Sequence, residues 1–146
     1  MYPIAHFASA VVVNRLLHRD RSVAPAAVGA LFPDAVDKTL AWVLRVTPSS
    51  HYIAHTPIAA GALSLLTAKL FGPKAARSVA SAYVTHLVCD DAHHGRVPWL
   101  LPFSQYRRLP RQRNWRLHAA GLLLELPALA LLLAMARSDS RDAGPG

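Results

Sequence analysis

Apolar and polar positions along the chain form long blocks and do not alternate with the period of two that indicates β-strands. Alanine- and leucine-rich stretches run past ten residues, and proline, glycine or basic clusters separate them. This pattern predicts helices at about 3–17, 23–32, 33–45, 53–71, 74–92 and 111–136. We therefore expect an all-α fold, a compact bundle of five to six helices around a buried His/Asp cluster.

Prolines and glycines set most of the predicted boundaries. Pro3 suits a first helical turn, whereas the ring of Pro33 excludes a continuing helix, and Gly72 with Pro73 separates two long apolar stretches. The polar sequence RSDSRDAGPG at 137–146 predicts a disordered tail. Residues 1–136 are expected to form a single domain.

One apolar run is a candidate membrane span. Residues 119–136, AAGLLLELPALALLLAMA, contain one charged residue and one proline, and their length is close to the roughly 20 residues that cross a bilayer. The preceding sequence RRLPRQRNWR is typical of a cytoplasmic flank with an interfacial tryptophan. We expect at least one transmembrane helix here. The alternative is a core helix of a soluble bundle with a basic rim.

The composition favours burial in protein or lipid and an anionic partner. Hydrophobic residues make up 53% of the chain and charged residues 16%, against about 25% charged residues in typical soluble domains. The formal net charge of +8 favours phospholipid head groups or nucleic acid. The single cysteine, Cys89, excludes an intrachain disulfide.

Three histidines interrupt apolar stretches: His6, His55 and His86. A single buried histidine is more often hydrogen-bonded than a metal ligand, but three of them near carboxylates favour shared coordination, because unsatisfied buried polar groups cost a few kcal/mol each. His86 and Asp90 lie four residues apart and share a helix face, whereas Asp91 is turned away. The alternative is a simple histidine–carboxylate hydrogen bond.

Asp34 and Asp37 lie three residues apart in a predicted first helical turn, so they share a face. If a metal activates a water molecule here, Asp34, Asp37 or Asp90 could orient that water. Alternatively, the helix dipole stabilises Asp34 and Asp37, and Lys38 neutralises one of them. Further candidate ligands are His51, His94 and His118.

The segments GALFPDAVDKTLAWV, HYIAHTP and THLVCDD, followed by PWLLPF, resemble the inner-membrane metal-dependent hydrolases of the LexA-regulated type. The resemblance covers about residues 3–104. It implies the metal ligands His6, Asp34, His55, His86 and Asp90, with Asp37 at the second acidic position.

More distantly, the chain is similar to the all-helical zinc-dependent phospholipase C and P1 nuclease group, whose zinc clusters cleave phosphoesters. Those enzymes complete the cluster with a later HxxxE pair, whereas His118 here is followed by Leu122 at that spacing. We therefore expect one or two ions.

The sequence as a whole leads us to expect a hydrolase at the inner membrane that uses zinc, or less favourably manganese or iron, to activate water against a phosphoester, including one in a lipid. One alternative is a non-catalytic membrane protein with a structural metal or a hydrogen-bonded core. Another is a nucleic-acid-binding module built on the arginines of 107–116, which no recognition motif accompanies.

Overall fold

The computed structural model describes residues 3–19, 22–94, 97–101, 103 and 115–142. These residues form four α-helices and one π-helical turn, and none of them lies in a strand: α1 (Pro3–His18), α2 (Val23–Lys38), the π turn (Thr39–Val43), α3 (Pro57–His94) and α4 (Trp115–Asp142). The all-α fold is confirmed. We expected five to six helices, whereas the described residues form four α-helices.

The first reason for the lower count is that α2 continues through Pro33, so the predicted stop there was wrong. A proline inside a helix removes one backbone donor and crowds the carbonyl four residues earlier. Here Pro33 is buried, and the face of α2 that carries Gly29 packs closely on α3. Tertiary packing of this kind outweighs a local helix-breaking preference.

The second reason is that the two helices expected at 53–71 and 74–92 form one kinked element, α3. Gly72 has a φ of 85° and a ψ of 171°, which breaks the helical path, and glycine adopts a positive φ without steric cost. The helix boundary predicted at Gly72 is therefore a kink within one helix. The helix begins at Pro57, later than expected, because the Thr56 hydroxyl accepts a bond from the Ala59 amide and caps it.

Helix α4 packs along α1 and forms polar contacts near both ends of α1. The Glu125 carboxylate accepts hydrogen bonds from the amides of Ile4 and Ala5 in the first turn of α1, and Arg15 forms an ion pair with Asp139. Helix α4 includes residues 137–142, where the sequence predicted the start of a disordered tail. Residues 143–146 and the expected helix start near residue 111 lie outside the described residues.

Among the described residues, no helix is both long enough and apolar enough to cross a membrane. The spanning helix expected at 119–136 is therefore not supported. The side chains of 119–122 and of Leu124 lie outside the described part of the chain, as does the basic segment 104–114.

Small residues allow α1, α2 and α3 to approach closely. Ala10, Ala26, Ala30 and Ala82 are fully buried at the centre of this packing. A Cβ added to Gly29 would lie 2.4 Å from the Val79 carbonyl oxygen and 2.8 Å from the Ala82 Cβ. The backbones of α2 and α3 are thus in near contact, which brings the polar side chains of the two helices together.

We expect Gly29→Ala to destabilise the protein, because the added methyl group would push α2 away from a backbone that cannot yield. Overpacking of this kind lowers the free energy of unfolding by about 1–3 kcal/mol. Thermal unfolding followed by circular dichroism measures the change.

Gly61→Ala is the matched control for this variant, because a Cβ at Gly61 meets nothing within 4 Å. It should raise the free energy of unfolding by about 0.5–1 kcal/mol, since alanine is favoured over glycine inside a helix. Unchanged unfolding of Gly29→Ala would contradict the close contact of α2 and α3.

Candidate metal centre

Four imidazole rings converge on the carboxylate of Asp90. The Nε2 atom of His6 lies 3.0 Å from Asp90 Oδ1. The Nε2 atoms of His51, His55 and His86 lie 3.3, 3.3 and 3.4 Å from Asp90 Oδ2. Three parts of the fold supply these groups: α1 carries His6, the loop before α3 carries His51 and His55, and α3 carries His86 and Asp90. Asp90 is therefore the centre of the cluster.

The cluster divides into two sets of side chains that could each hold a metal ion, and Asp90 belongs to both. The outer group consists of Asp34, His51, His55 and Asp90, and the inner group consists of His6, His86 and Asp90. Within each group the ligand atoms lie within 4.8 Å of one another. Asp90 Oδ1 lies next to His6 of the inner group, whereas Oδ2 lies next to His51 and His55 of the outer group and also next to His86. If each group held an ion, Asp90 would be a ligand in both.

The separations between these atoms match those of ligands around one ion. Bonds of about 2.0–2.1 Å in a tetrahedral zinc site place neighbouring ligand atoms about 3.3 Å apart. In the outer group, the Nε2 atom of His55 lies 3.3 Å from Asp90 Oδ2 and 3.6 Å from Asp34 Oδ1. Both separations exceed the 2.7–3.2 Å of ordinary hydrogen bonds. The residues present therefore fit a metal ion of this size.

One side of the cluster is closed and the other is accessible. His6, His55, His86 and Asp90 are at most 2% exposed. In the outer group, the side chains of Asp34 and His51 are 13% and 18% exposed. Any small molecule that reaches the cluster therefore meets the outer group first.

Asp37 holds the loop that carries His55 and lies outside both groups. Its carboxylate accepts hydrogen bonds from the backbone amides of Tyr52, Ala54 and His55 at 2.6, 3.0 and 3.2 Å. It also lies 2.8 Å from His55 Nδ1, so it fixes the ring with Nε2 turned to the cluster. This arrangement is the carboxylate–histidine pair that commonly orients a metal-binding imidazole. The geometry favours a positioning role for Asp37, and its predicted catalytic role stays a prediction.

The spacing of Asp34 and Asp37 has a clear structural reason. Both face His55, with Asp37 at Nδ1 and Asp34 at Nε2. Burial lowers the pKa of His55, but the carboxylates of Asp34, Asp37 and Asp90 outweigh burial and raise that pKa to about 10. The three carboxylates thus create a field that favours positive charge at the centre of the cluster.

The carboxylates remain ionised despite their burial. Burial would raise the pKa of Asp90, but the surrounding imidazoles of His51, His55, His6 and His86 outweigh burial and hold that pKa far below its usual range. Burial is outweighed in the same way at Asp34, whose pKa is lowered by His55 and by the ion pair with Lys38.

The imidazole of His6 behaves differently from these carboxylates. Burial lowers its pKa, which favours the neutral form that binds metal.

Hydrogen bonds at Nδ1 orient the imidazole rings of the outer group, whereas those of the inner group lack such bonds among the described residues. The Nδ1 atom of His55 is held by Asp37, and that of His51 lies 3.3 Å from the Ser50 hydroxyl. Within the described residues, the Nδ1 atoms of His6 and His86 are buried without a hydrogen-bond partner. Fixed ligand rings raise metal affinity.

Two groups that position the site were missed from the sequence. The hydroxyl of Tyr83, which lies three residues before His86 on the same face of α3, donates a hydrogen bond to the Ala54 carbonyl and secures the loop. The carboxylate of Glu125 binds the first turn of α1, next to His6. The spacing of Tyr83 from His86 was a usable signal, but nothing local indicates that Glu125 reaches α1.

The structure brings together the five side chains expected as ligands, and His51 joins them: His6, Asp34, His51, His55, His86 and Asp90. Among the described residues, Asp91 and Cys89 belong to neither group. Burial and the nearby Asp90 charge raise the pKa of the Cys89 thiol, which disfavours the thiolate that binds metal. The side chains of His94 and His118 lie outside the described part of the chain.

Comparison with known proteins places the chain in a family. Residues 1–143 match the profile of the family described as YdjM inner membrane protein, so the chain belongs to that family. No curated protein and no solved structure matches the chain. The family description supports an inner-membrane location and names no activity.

We expect Asp37→Asn to weaken zinc binding about 10–100-fold, the usual effect of removing a group that orients a metal-binding histidine. The new side-chain amide carries an NH2 group in place of one carboxylate oxygen. This group would face either the backbone N–H groups of the loop or the His55 ring, and it cannot accept a hydrogen bond from them. Competition with a chromophoric chelator measures the affinity.

Asp91→Asn is the control, because Asp91 follows Asp90 directly in α3 and lies outside both groups. It should bind zinc like the parent. Equal affinity for Asp37→Asn and the parent would contradict the positioning role.

Proposed function

We propose, from its place in the YdjM inner membrane protein family and from the geometry of the cluster, that this protein is a membrane-associated metal-dependent hydrolase. The outer and inner groups would hold two ions, and Asp90 would be shared between them. Mixed imidazole and carboxylate ligands suit zinc best, with manganese or iron less favoured. The single observation that carries the proposal is the approach of four imidazole nitrogens to one buried carboxylate.

Zinc held by these residues would supply a water nucleophile that ionises near neutral pH and positive charge for oxygens that become negative in the transition state. The chain contributes orientation and selectivity. Asp34, on the accessible side, can accept a hydrogen bond from water, and the Lys38 ammonium beside it can contact an anionic oxygen of the substrate. Buried His6 and His86 exclude bulk water from the opposite side.

A phosphoester is the favoured substrate. Two ions close together suit in-line displacement at phosphorus, where charge develops on both the entering and the leaving oxygen. The net charge of +8 and the position of Lys38 at the exposed edge favour an anionic substrate over a neutral one.

The alternative is a non-catalytic membrane protein that keeps the same cluster for structural metal or for hydrogen bonds. The accessibility of Asp34 and His51 favours the hydrolase, because a structural metal site is normally closed to solvent. A nucleic-acid-binding role depends on the arginines of 107–116, whose side chains lie outside the described residues.

Hydrolysis of bis(4-nitrophenyl) phosphate and of 4-nitrophenyl phosphate by the full chain tests the proposal. We expect a rate that is lost with a chelator and restored by added zinc. Asp34→Asn should lower this rate by about 100-fold or more, because it removes an outer-group ligand.

Asp91→Asn should leave both the rate and the metal content of the protein unchanged. Stoichiometric zinc without hydrolysis of either ester would favour the structural alternative. Hydrolysis that persists without metal would contradict the proposal.

A further inference from the structure

Five consecutive residues, 42–46, are exposed at the end of the π turn, and four of them are large and apolar. The exposed fractions are 65% for Trp42, 73% for Val43, 57% for Leu44 and 69% for Val46. Isolated exposed apolar residues are common in proteins, whereas a contiguous patch indicates a contact surface. We call residues 42–46 the apolar segment.

Backbone bonds hold the apolar segment in one conformation. The Leu44 amide donates to the Thr39 carbonyl and the Val46 amide to the Leu40 carbonyl, both at 3.0 Å. Between them, Arg45 has a φ of 55°, a left-handed conformation that a residue other than glycine rarely adopts. Local hydrogen bonds therefore satisfy much of this backbone, and its apolar side chains point outward.

Basic residues accompany the apolar segment in the sequence. Arg45 lies within it, Lys38 precedes it, and no aspartate or glutamate follows Lys38 until Asp90. Tryptophan together with basic residues is the usual composition of a surface that enters the head-group layer of an anionic bilayer. A bilayer therefore fits both the apolar and the electrostatic character of this surface.

The apolar segment adjoins the accessible side of the cluster. The Lys38 ammonium contacts Asp34 of the outer group and lies 5.9 Å from the centre of the Trp42 ring. Asp34 and His51 are the most exposed members of the cluster, whereas His6 and His86 lie on its buried side. A surface that contacts the apolar segment is thus close to the opening of the outer group.

We propose that the apolar segment docks on an anionic phospholipid bilayer and turns the outer group towards the lipid head groups. The substrate would then be a phosphoester of a membrane lipid, presented without leaving the bilayer. The docking stands on the exposure and charge of residues 38–46, and only the assignment of the substrate rests on the proposed hydrolase.

Quenching of Trp42 fluorescence by brominated lipid tests the docking without any need for metal or hydrolysis. A Trp99→Phe, Trp115→Phe variant of the full chain leaves Trp42 as its one tryptophan. With vesicles of phosphatidylglycerol brominated near the head-group end of the acyl chain, we expect Trp42 to lose most of its emission. The same bromine in phosphatidylcholine should quench it less.

Introducing two aspartates by Val43→Asp and Leu44→Asp in the single-tryptophan protein should raise the lipid concentration for half-maximal quenching by about tenfold or more, since two apolar contacts with lipid would be replaced by charges that the anionic surface repels. Leu65→Asp with Leu66→Asp is the matched control. These α3 residues are 74% and 53% exposed but lie outside the apolar segment. The control should be quenched like the parent.

Three results would overturn the docking. Unquenched Trp42 would exclude contact with lipid, and if the protein were also dimeric it would assign the surface to a second copy of the chain. Equal quenching in both lipids would contradict the anionic preference. Equal loss in both aspartate variants would show that the apolar segment is not the docking surface. Failure of hydrolysis with successful quenching would instead contradict only the proposed function.

Discussion

The approach of four imidazole nitrogens to the buried carboxylate of Asp90 is the interaction on which the rest of the structure depends. A charged group at this depth is stable only when its partners compensate for the lost hydration. Those partners come from α1, from the loop before α3 and from α3 itself, so all three must meet at one point. The alanines and Gly29 between the helices permit that approach, because larger side chains would hold the backbones apart.

The histidines compensate for the buried charge of Asp90 only if the residues around them hold their rings in place. The loop that carries His55 has little regular structure, yet Asp37 binds three of its amides, Tyr83 binds the Ala54 carbonyl, and Thr56 caps the helix that follows. These bonds give His55 one orientation. The chain's own hydrogen bonds therefore hold the loop in a geometry that suits metal binding, and such support would limit the entropy lost on binding.

Local periodicity predicted the parts of the site that depend on one helix. The pairing of His86 with Asp90 and the shared face of Asp34 and Asp37 follow from helical spacing alone. Relations between distant parts of the chain did not follow, because local patterns carry no information about which elements meet. The contact of Glu125 with α1 and the several amides bound by Asp37 belong to this class. Pro33 was misjudged for the same reason, since packing on α3 outweighs its local preference.

The central claim is that Asp90 is shared by two metal ions. A crystal structure of the zinc-loaded protein, with anomalous scattering recorded at the zinc absorption edge, tests it most directly. The account predicts two peaks, one among Asp34, His51, His55 and Asp90 and the other between His6, His86 and Asp90. A single peak beside Asp90, no peak there, or zinc bound only at other histidines would contradict it.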